Sequence, residues 1–159
     1  MGDNPYEGLR SLALSVDPAR LGFQPTPEFP DVFGVVADLE LHGTATLVCF
    51  VDGTTSLYYS SGGGAIGLGQ HESIARESLA FLASVQADLG AFSTGLDTSP
   101  LTEDQYRFTA LTFGGHRTLT AAESELRASN SGGATILHGF HAVIGAYRLW
   151  SETQGNGAR

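Results

Sequence analysis

The clearest candidate for ligand chemistry is a run of glycines between a predicted strand and a predicted helix. Residues 62–67 match the pattern G-x-G-x-x-G, in which glycines leave backbone N–H groups open to an anion at the positive end of the next helix. A dinucleotide site does not fit, because the flanking strands are predicted to pair as hairpins and a Rossmann unit needs a parallel crossover. A more general anion site stays open beside the simpler interpretation, a tight turn. The candidate ligand-binding residues are Gly62, Gly63, Gly64, Gly67, Gly69, His71 and Arg76.

Small residues on one side of the last predicted helix form a second candidate, for contact rather than ligand binding. Without large side chains, another backbone can approach this helix closely. The approaching element can be the sheet of the same chain or a second subunit. The candidate interface residues are Gly139, Ala142, Gly145 and Ala146.

Two histidines on the same helix have the spacing of a metal-binding pair. His138 and His141 stand three residues apart, close enough on a helix to share one ion. The sequence offers no third ligand nearby and contains neither H-E-x-x-H nor a paired-cysteine pattern. We therefore predict two polar, partly exposed histidines, with no metal site and no cofactor.

Catalytic arrangements can be assembled from this sequence, but no spacing selects one. All eight basic residues are Arg, which excludes a lysine Schiff base and a lysine-dependent phosphate loop. A G-x-S-x-G elbow is absent. We predict no catalytic residue and lean against an enzyme, with an unrecognised hydrolase as a third alternative. The sets considered are His116 with Glu123 and Glu125, and His71 with Ser60, Ser61 or Ser73.

Composition and charge limit the class of protein. A chain of 159 residues, 42% of them hydrophobic, has enough apolar material for one folded domain. Its formal net charge of -9 repels phosphate backbones and anionic lipid, so we expect neither a nucleic-acid nor a membrane partner. No apolar run approaches the roughly 20 residues of a membrane span. The single Cys49 cannot form an internal disulfide and no targeting signal is visible, which indicates a cytoplasmic protein.

Proline and hydrophobic patterning divide the chain into three parts. Residues 1–32 are predicted as an N-terminal helix and a proline-rich connector, because four of the six prolines lie between residues 18 and 30. Residues 33–150 are predicted as a single domain, and residues 151–159 as a flexible tail. Within the domain, residues 33–41 alternate between apolar and polar, which is typical of a half-buried strand.

The face of that first strand that is predicted to be exposed to solvent carries two acidic residues. Asp38 and Glu40 are predicted as solvated edge charges. The next stretch, residues 44–52, is apolar on both faces and is predicted as an inner strand. Further strands are predicted at residues 54–60, at 106–113 and from residue 116, and helices at 74–89 and 134–150.

The resulting order, α-βββ-α-ββ-α, predicts an α+β fold. Hairpins at Asp52-Gly53 and Gly114-Gly115 make the five-stranded sheet mainly antiparallel, with the long helices on one face. With the amphipathic helix at 74–89, this order over residues 33–150 resembles the profilin-like group that includes longin and roadblock domains. The resemblance implies a non-enzymatic, dimerising platform for partner proteins, often small GTPases, and it transfers no functional residue.

These observations predict a non-catalytic protein-interaction or regulatory domain. Its partner is a protein or a second copy of itself, in a homodimer formed through the sheet edge or the last helix. The alternative is a small-ligand or anion-binding domain that uses the glycine-rich loop at residues 62–69.

Overall fold

A seven-stranded antiparallel sheet organises the chain in the computed structural model, which describes residues 5–128 and 132–157. The strands are β1 (Val32–Glu40), β2 (Thr44–Phe50), β3 (Thr55–Tyr59), β4 (Gly64–Ala65), β5 (Ser93–Thr94), β6 (Gln105–Thr112) and β7 (Gly115–Ala122). Their order across the sheet is β4-β3-β2-β1-β6-β7-β5. The helices are α1 (Tyr6–Leu14), α2 (Glu72–Ala87), α3 (Glu123–Ala128) and α4 (Gly133–Gly157).

The sheet confirms the α+β class, but the prediction of five strands is wrong. Strands β4 and β5 each add two residues, in segments that the sequence pattern indicates as loops. Strand β4 pairs with β3 and β5 pairs with β7, so they form the two outer edges. A two-residue strand has no hydrophobic period to recognise, which is why the sequence does not show it.

Strand β1 lies at the centre of the sheet, between β2 and β6. Eight of its nine residues are buried, so the prediction of a half-buried strand is wrong. Asp38 is 2% exposed and is not a solvated edge charge. Glu40 is also engaged, since its carboxylate accepts hydrogen bonds from the Gly43 N–H and the Thr44 hydroxyl. Alternation shows which residues share a face, but not what covers that face.

The two faces of the sheet carry separate apolar clusters. Helices α2 and α4 cover one face, where Phe81 of α2 and Phe140 of α4 pack near Phe108 of β6. Helix α1 and the proline-rich connector cover the other face. There the ring of Phe23 lies 6.1 Å from Phe33 and stacks 6.0 Å from Phe50, measured between centroids. Residues from the segment 1–32, predicted to lie outside the domain, therefore complete the apolar cluster on this second face of the sheet.

A buried polar network attaches α1 to the sheet. The Arg10 guanidinium donates two hydrogen bonds to Asp38, at 3.0 Å from Nε to Oδ1 and 2.7 Å from Nη2 to Oδ2. The Thr46 hydroxyl donates to Asp38 Oδ1 at 2.6 Å, and the Tyr6 hydroxyl lies 2.7 Å from Thr46 Oγ1. This network provides Asp38 with a cation and a hydroxyl donor, which a buried carboxylate requires.

Helix α4 continues to Gly157, beyond Trp150, where the apolar periodicity ends. Residues 151–157, predicted as part of a flexible tail, are helical, whereas residues 158–159 lie outside the described part of the chain. Even so, no helix among the residues that the structure describes has both the length and the apolar character of a membrane span.

Thr109 of β6 offers a direct test of the packing on the α1 face of the sheet. Its hydroxyl is buried and has no hydrogen-bond partner among the described residues. Thr109→Val removes this hydroxyl while preserving shape, so we expect the free energy of unfolding to rise by about 1 kcal/mol. Urea denaturation measures the change.

The matched control is Thr118→Val on the adjacent strand. Thr118 pairs with Thr109 across β6 and β7, but its hydroxyl donates a 2.7 Å hydrogen bond to the Gly95 carbonyl. This second variant is expected to lose stability. Equal losses in both variants would contradict the structure around Thr109.

Candidate functional site

Close packing of α2 against α4 depends on Gly139. A Cβ at this position would lie 3.0 Å from Phe81 Cδ1 and 3.1 Å from Phe81 Cα, so a side chain would push the helices apart. Gly139 is predicted as an interface residue, and the structure places it inside the molecule. The backbone that approaches it belongs to α2 rather than to the sheet.

The other three candidate interface residues lie together on the outer surface. They line a groove of about 570 Å³ between the start of α2 and the C-terminal half of α4, here named the α4 groove. A Cβ at Gly145 would meet no atom within 4 Å, so the groove is open above this residue. The residues that define the α4 groove are Ser73, Glu77, Ala142, Gly145, Ala146, Leu149, Trp150 and Thr153.

Leu149 stands at the side of the α4 groove as a large exposed apolar side chain. It is 69% exposed, and it follows Gly145 by one helical turn on the same side of α4. The surface of α4 therefore has a protruding side chain, Leu149, next to an open recess above Gly145. Such a surface is able to complement a second copy of itself.

His71 connects the glycine-rich segment to this groove. Its ring packs on the ring of Trp150, with 4.4 Å between centroids and 36° between planes. Because His71 directly precedes α2, this contact fastens the start of α2 to α4. Arg76, the other charged ligand candidate, lies on the exposed side of α2 and pairs with Glu72 at 3.7 Å.

The glycines of residues 62–69 have local structural roles. Gly62 and Gly63 adopt positive φ in the turn from β3 to β4, and Gly67 adopts positive φ before a short 3-10 turn. Gly64 lies directly against the Leu57 carbonyl and Gly69 against the Gly53 carbonyl, so a Cβ at either position would clash with backbone. Ligand binding by this loop stays a prediction, and close backbone approach accounts for the glycines.

A polar cluster that sequence spacing does not show joins β6, α3 and α4. The Tyr106 hydroxyl donates to Glu123 Oε1 at 2.8 Å and lies 3.0 Å from His141 Nε2, while Arg127 Nε donates to Glu123 Oε2 at 3.0 Å. Burial and the Glu123 carboxylate raise the pKa of Tyr106. Hydrogen bonds from Tyr106 and Arg127 lower the pKa of Glu123. The cluster keeps Tyr106 protonated and Glu123 ionised, as a structural link requires.

His141 takes part in that cluster rather than pairing with His138. Partial burial removes water from the His141 ring and lowers its pKa. The ring lies edge-on to Phe140, with 5.4 Å between the ring centroids. His138 is exposed on α4. Among the described residues, no group of three or more His, Cys, Asp or Glu side chains is placed to hold a metal ion.

The histidines and glutamates considered for catalysis, and Ser60, are engaged separately. His116 Nε2 lies 2.6 Å from the Leu14 carbonyl, Glu125 accepts from the Ala122 N–H at 2.9 Å, and Glu123 binds Tyr106. The Ser60 hydroxyl accepts from the Thr44 N–H. Cys49 is fully buried, and burial raises the pKa of its thiol to about 12, which makes it a poor nucleophile.

Comparisons of the chain with protein-family models, with curated proteins and with solved structures each found no match. The resemblance to profilin-like domains therefore stays a prediction, and a functional conclusion has to come from the geometry.

Proposed function

We propose that this chain is a non-catalytic protein-interaction domain that forms a homodimer through the α4 groove. The observation that supports this most strongly is the exposed Leu149 beside the open position above Gly145. In a two-fold pairing, Leu149 of one protomer packs over Gly145 and Ala142 of its partner, and the reverse contact occurs at the same time. Small residues at the crossing let the helix axes approach to about 8 Å, the close end of helix packing.

Net charge opposes this dimer rather than favouring it. Glu77 lines the groove from α2, whereas Arg148 lies outside it, on the side of α4 where its charge acts on Tyr59 and His141. Neither Glu77 nor Arg148 forms an ion pair with another described residue. Two chains that each carry a net charge of -9 repel each other, so the apolar contact at Leu149 has to exceed this repulsion.

The sheet edges are poorer routes to a dimer. Long strands β3 and β7 would offer unpaired backbone groups if they were outermost, but β4 and β5 each cover part of one edge. Two-residue outer strands are a common protection against edge-to-edge pairing. Of the two routes expected from the sequence, the last helix is thus the better supported.

The experiment that tests this function is a measurement of mass by sedimentation equilibrium across a range of protein concentrations. One chain has a mass of 16.7 kDa, and we expect a reversible species of twice this mass at micromolar protein. Salt is expected to strengthen it modestly, because it screens the repulsion between two chains that each carry a net charge of -9. A single-chain mass at every concentration would contradict the proposal.

A further inference from the structure

A second cavity lies on the opposite face of the sheet from the α4 groove. It is an open depression with a volume of about 660 Å³, lined by α1, the 3-10 turn Pro18–Leu21 and strands β2 and β3; we name it the α1 cavity. Val48 and Phe50 of β2 form an apolar floor. The volume falls within the range of about 300–1,000 Å³ that small-molecule sites occupy.

Two leucines that line the α1 cavity remain exposed. Leu12 is 67% exposed and Leu21 is 53% exposed. They come from different elements, α1 and the 3-10 turn, and both border the same opening. An aliphatic chain lying on the floor of the cavity would cover both leucines, which stabilises the complex by removing apolar surface from water.

Polar groups without partners also line this cavity. Ser56 of β3 is only 8% exposed, yet its hydroxyl forms no hydrogen bond with another described residue, and the same holds for the Tyr58 hydroxyl two residues along the strand. Among the described residues, Thr109 has the only fully buried side-chain oxygen without a partner, so the Ser56 and Tyr58 hydroxyls reach the open cavity, where a ligand oxygen can replace water.

The charge at the cavity comes from two residues with different roles. Asp17 accepts a hydrogen bond from the Ala19 N–H at 3.0 Å and caps the 3-10 turn. Arg20 lines the cavity and forms no ion pair with another described residue. Its planar guanidinium matches a carboxylate with two parallel hydrogen bonds.

We propose that the α1 cavity binds a small amphipathic carboxylate, with its alkyl chain over Val48 and Phe50 and its carboxylate on Arg20. The hydroxyls of Ser56 and Tyr58 supply further donors to the ligand. This site uses no residue of the α4 groove, and so it is independent of the proposed dimer.

The test is an NMR titration of the ¹⁵N-labelled protein with decanoate, kept below micelle formation. We expect saturable shifts of amides in α1, β2 and β3. Decyltrimethylammonium, which has an alkyl chain of similar length and the opposite charge, is expected to bind at least tenfold more weakly, a difference of about 1.4 kcal/mol.

Substitutions at the two charged residues should act in opposite directions. Arg20→Gln is expected to weaken decanoate binding about tenfold, because it removes the charged partner. Asp17→Asn is expected to tighten binding, since it removes a like charge and keeps a residue able to cap the turn. Arg117→Gln, on β7 outside the cavity, is the matched control and should leave the affinity unchanged.

Three results of the ligand titrations would overturn this assignment. They are the absence of saturable shifts, equal binding of the cationic analogue, and an Arg20→Gln variant of unchanged affinity whose spectrum is that of a folded protein. Shifts at the α1 cavity that follow protein concentration without decanoate would also overturn it, because they would assign the surface to a second copy of the chain.

Discussion

Replacing Arg10 by alanine is expected to lower the free energy of unfolding by about 3–5 kcal/mol. Asp38 is 2% exposed and forms its only ion pair among the described residues with Arg10, since Arg107, opposite it on β6, pairs with Asp97. The substitution leaves a buried carboxylate without a charge partner and removes two hydrogen bonds that attach α1 to β1. Because many domains of this size have a total stability of about 5–15 kcal/mol, the loss is large enough to populate unfolded chains.

Urea denaturation of the Arg10→Ala variant measures this effect, with Arg20→Ala as the matched control. Arg20 is exposed and forms no ion pair with another described residue, so its removal should change stability by less than about 0.5 kcal/mol. Adding Asp38→Asn to Arg10→Ala should recover part of the loss, because a neutral amide replaces the orphaned charge. An Arg10→Ala cost below about 1 kcal/mol would show that the pair behaves as an exposed salt bridge, contrary to the structure.

The second large effect is expected at the dimer interface. Leu149→Ala removes a side chain that a two-fold dimer buries twice, at about 1.5–3 kcal/mol for each copy. The dissociation constant of the dimer should therefore rise at least 100-fold. The unfolding of the single chain should change little, because Leu149 is 69% exposed.

Leu12→Ala is the control for this variant. Leu12 is 67% exposed on α1, so the two substitutions remove equally exposed leucines from different surfaces. Sedimentation equilibrium should show an unchanged dimer for Leu12→Ala. Equal dissociation constants for Leu149→Ala and the unsubstituted chain would contradict the assignment of the interface.

Local sequence patterns correctly predicted a helix with a regular apolar period and a tight turn between two strands. The apolar spacing from Ile74 onward predicted the helix that the structure shows as α2, and Gly53, with φ of 91°, lies in the turn that joins β2 to β3. The pattern failed for Asp38, because the polar alternation of β1 is the same whether water or α1 covers that face. It also failed for β4, which is only two residues long, and for β5, which is equally short and pairs with the distant strand β7.

The candidate site was predicted in part, for the same reason. Helical spacing grouped Gly139 with Gly145, but only the packing of Phe81 separates an internal contact at the first from an open surface at the second. The α1 cavity and the contact of His71 with Trp150 join residues far apart in the chain. No motif or period brings such residues together, so the sequence alone could not indicate them.

The central claim, a homodimer through the α4 groove, is tested most directly by isotope-filtered NOE measurements. The sample is a dimer reassembled from equal amounts of labelled and unlabelled chains. The proposal predicts NOEs between the Leu149 methyl groups of one protomer and the Gly145 Hα atoms of its partner. A species with the mass of two chains that lacks these NOEs, or shows intermolecular NOEs only from other surfaces, would contradict it.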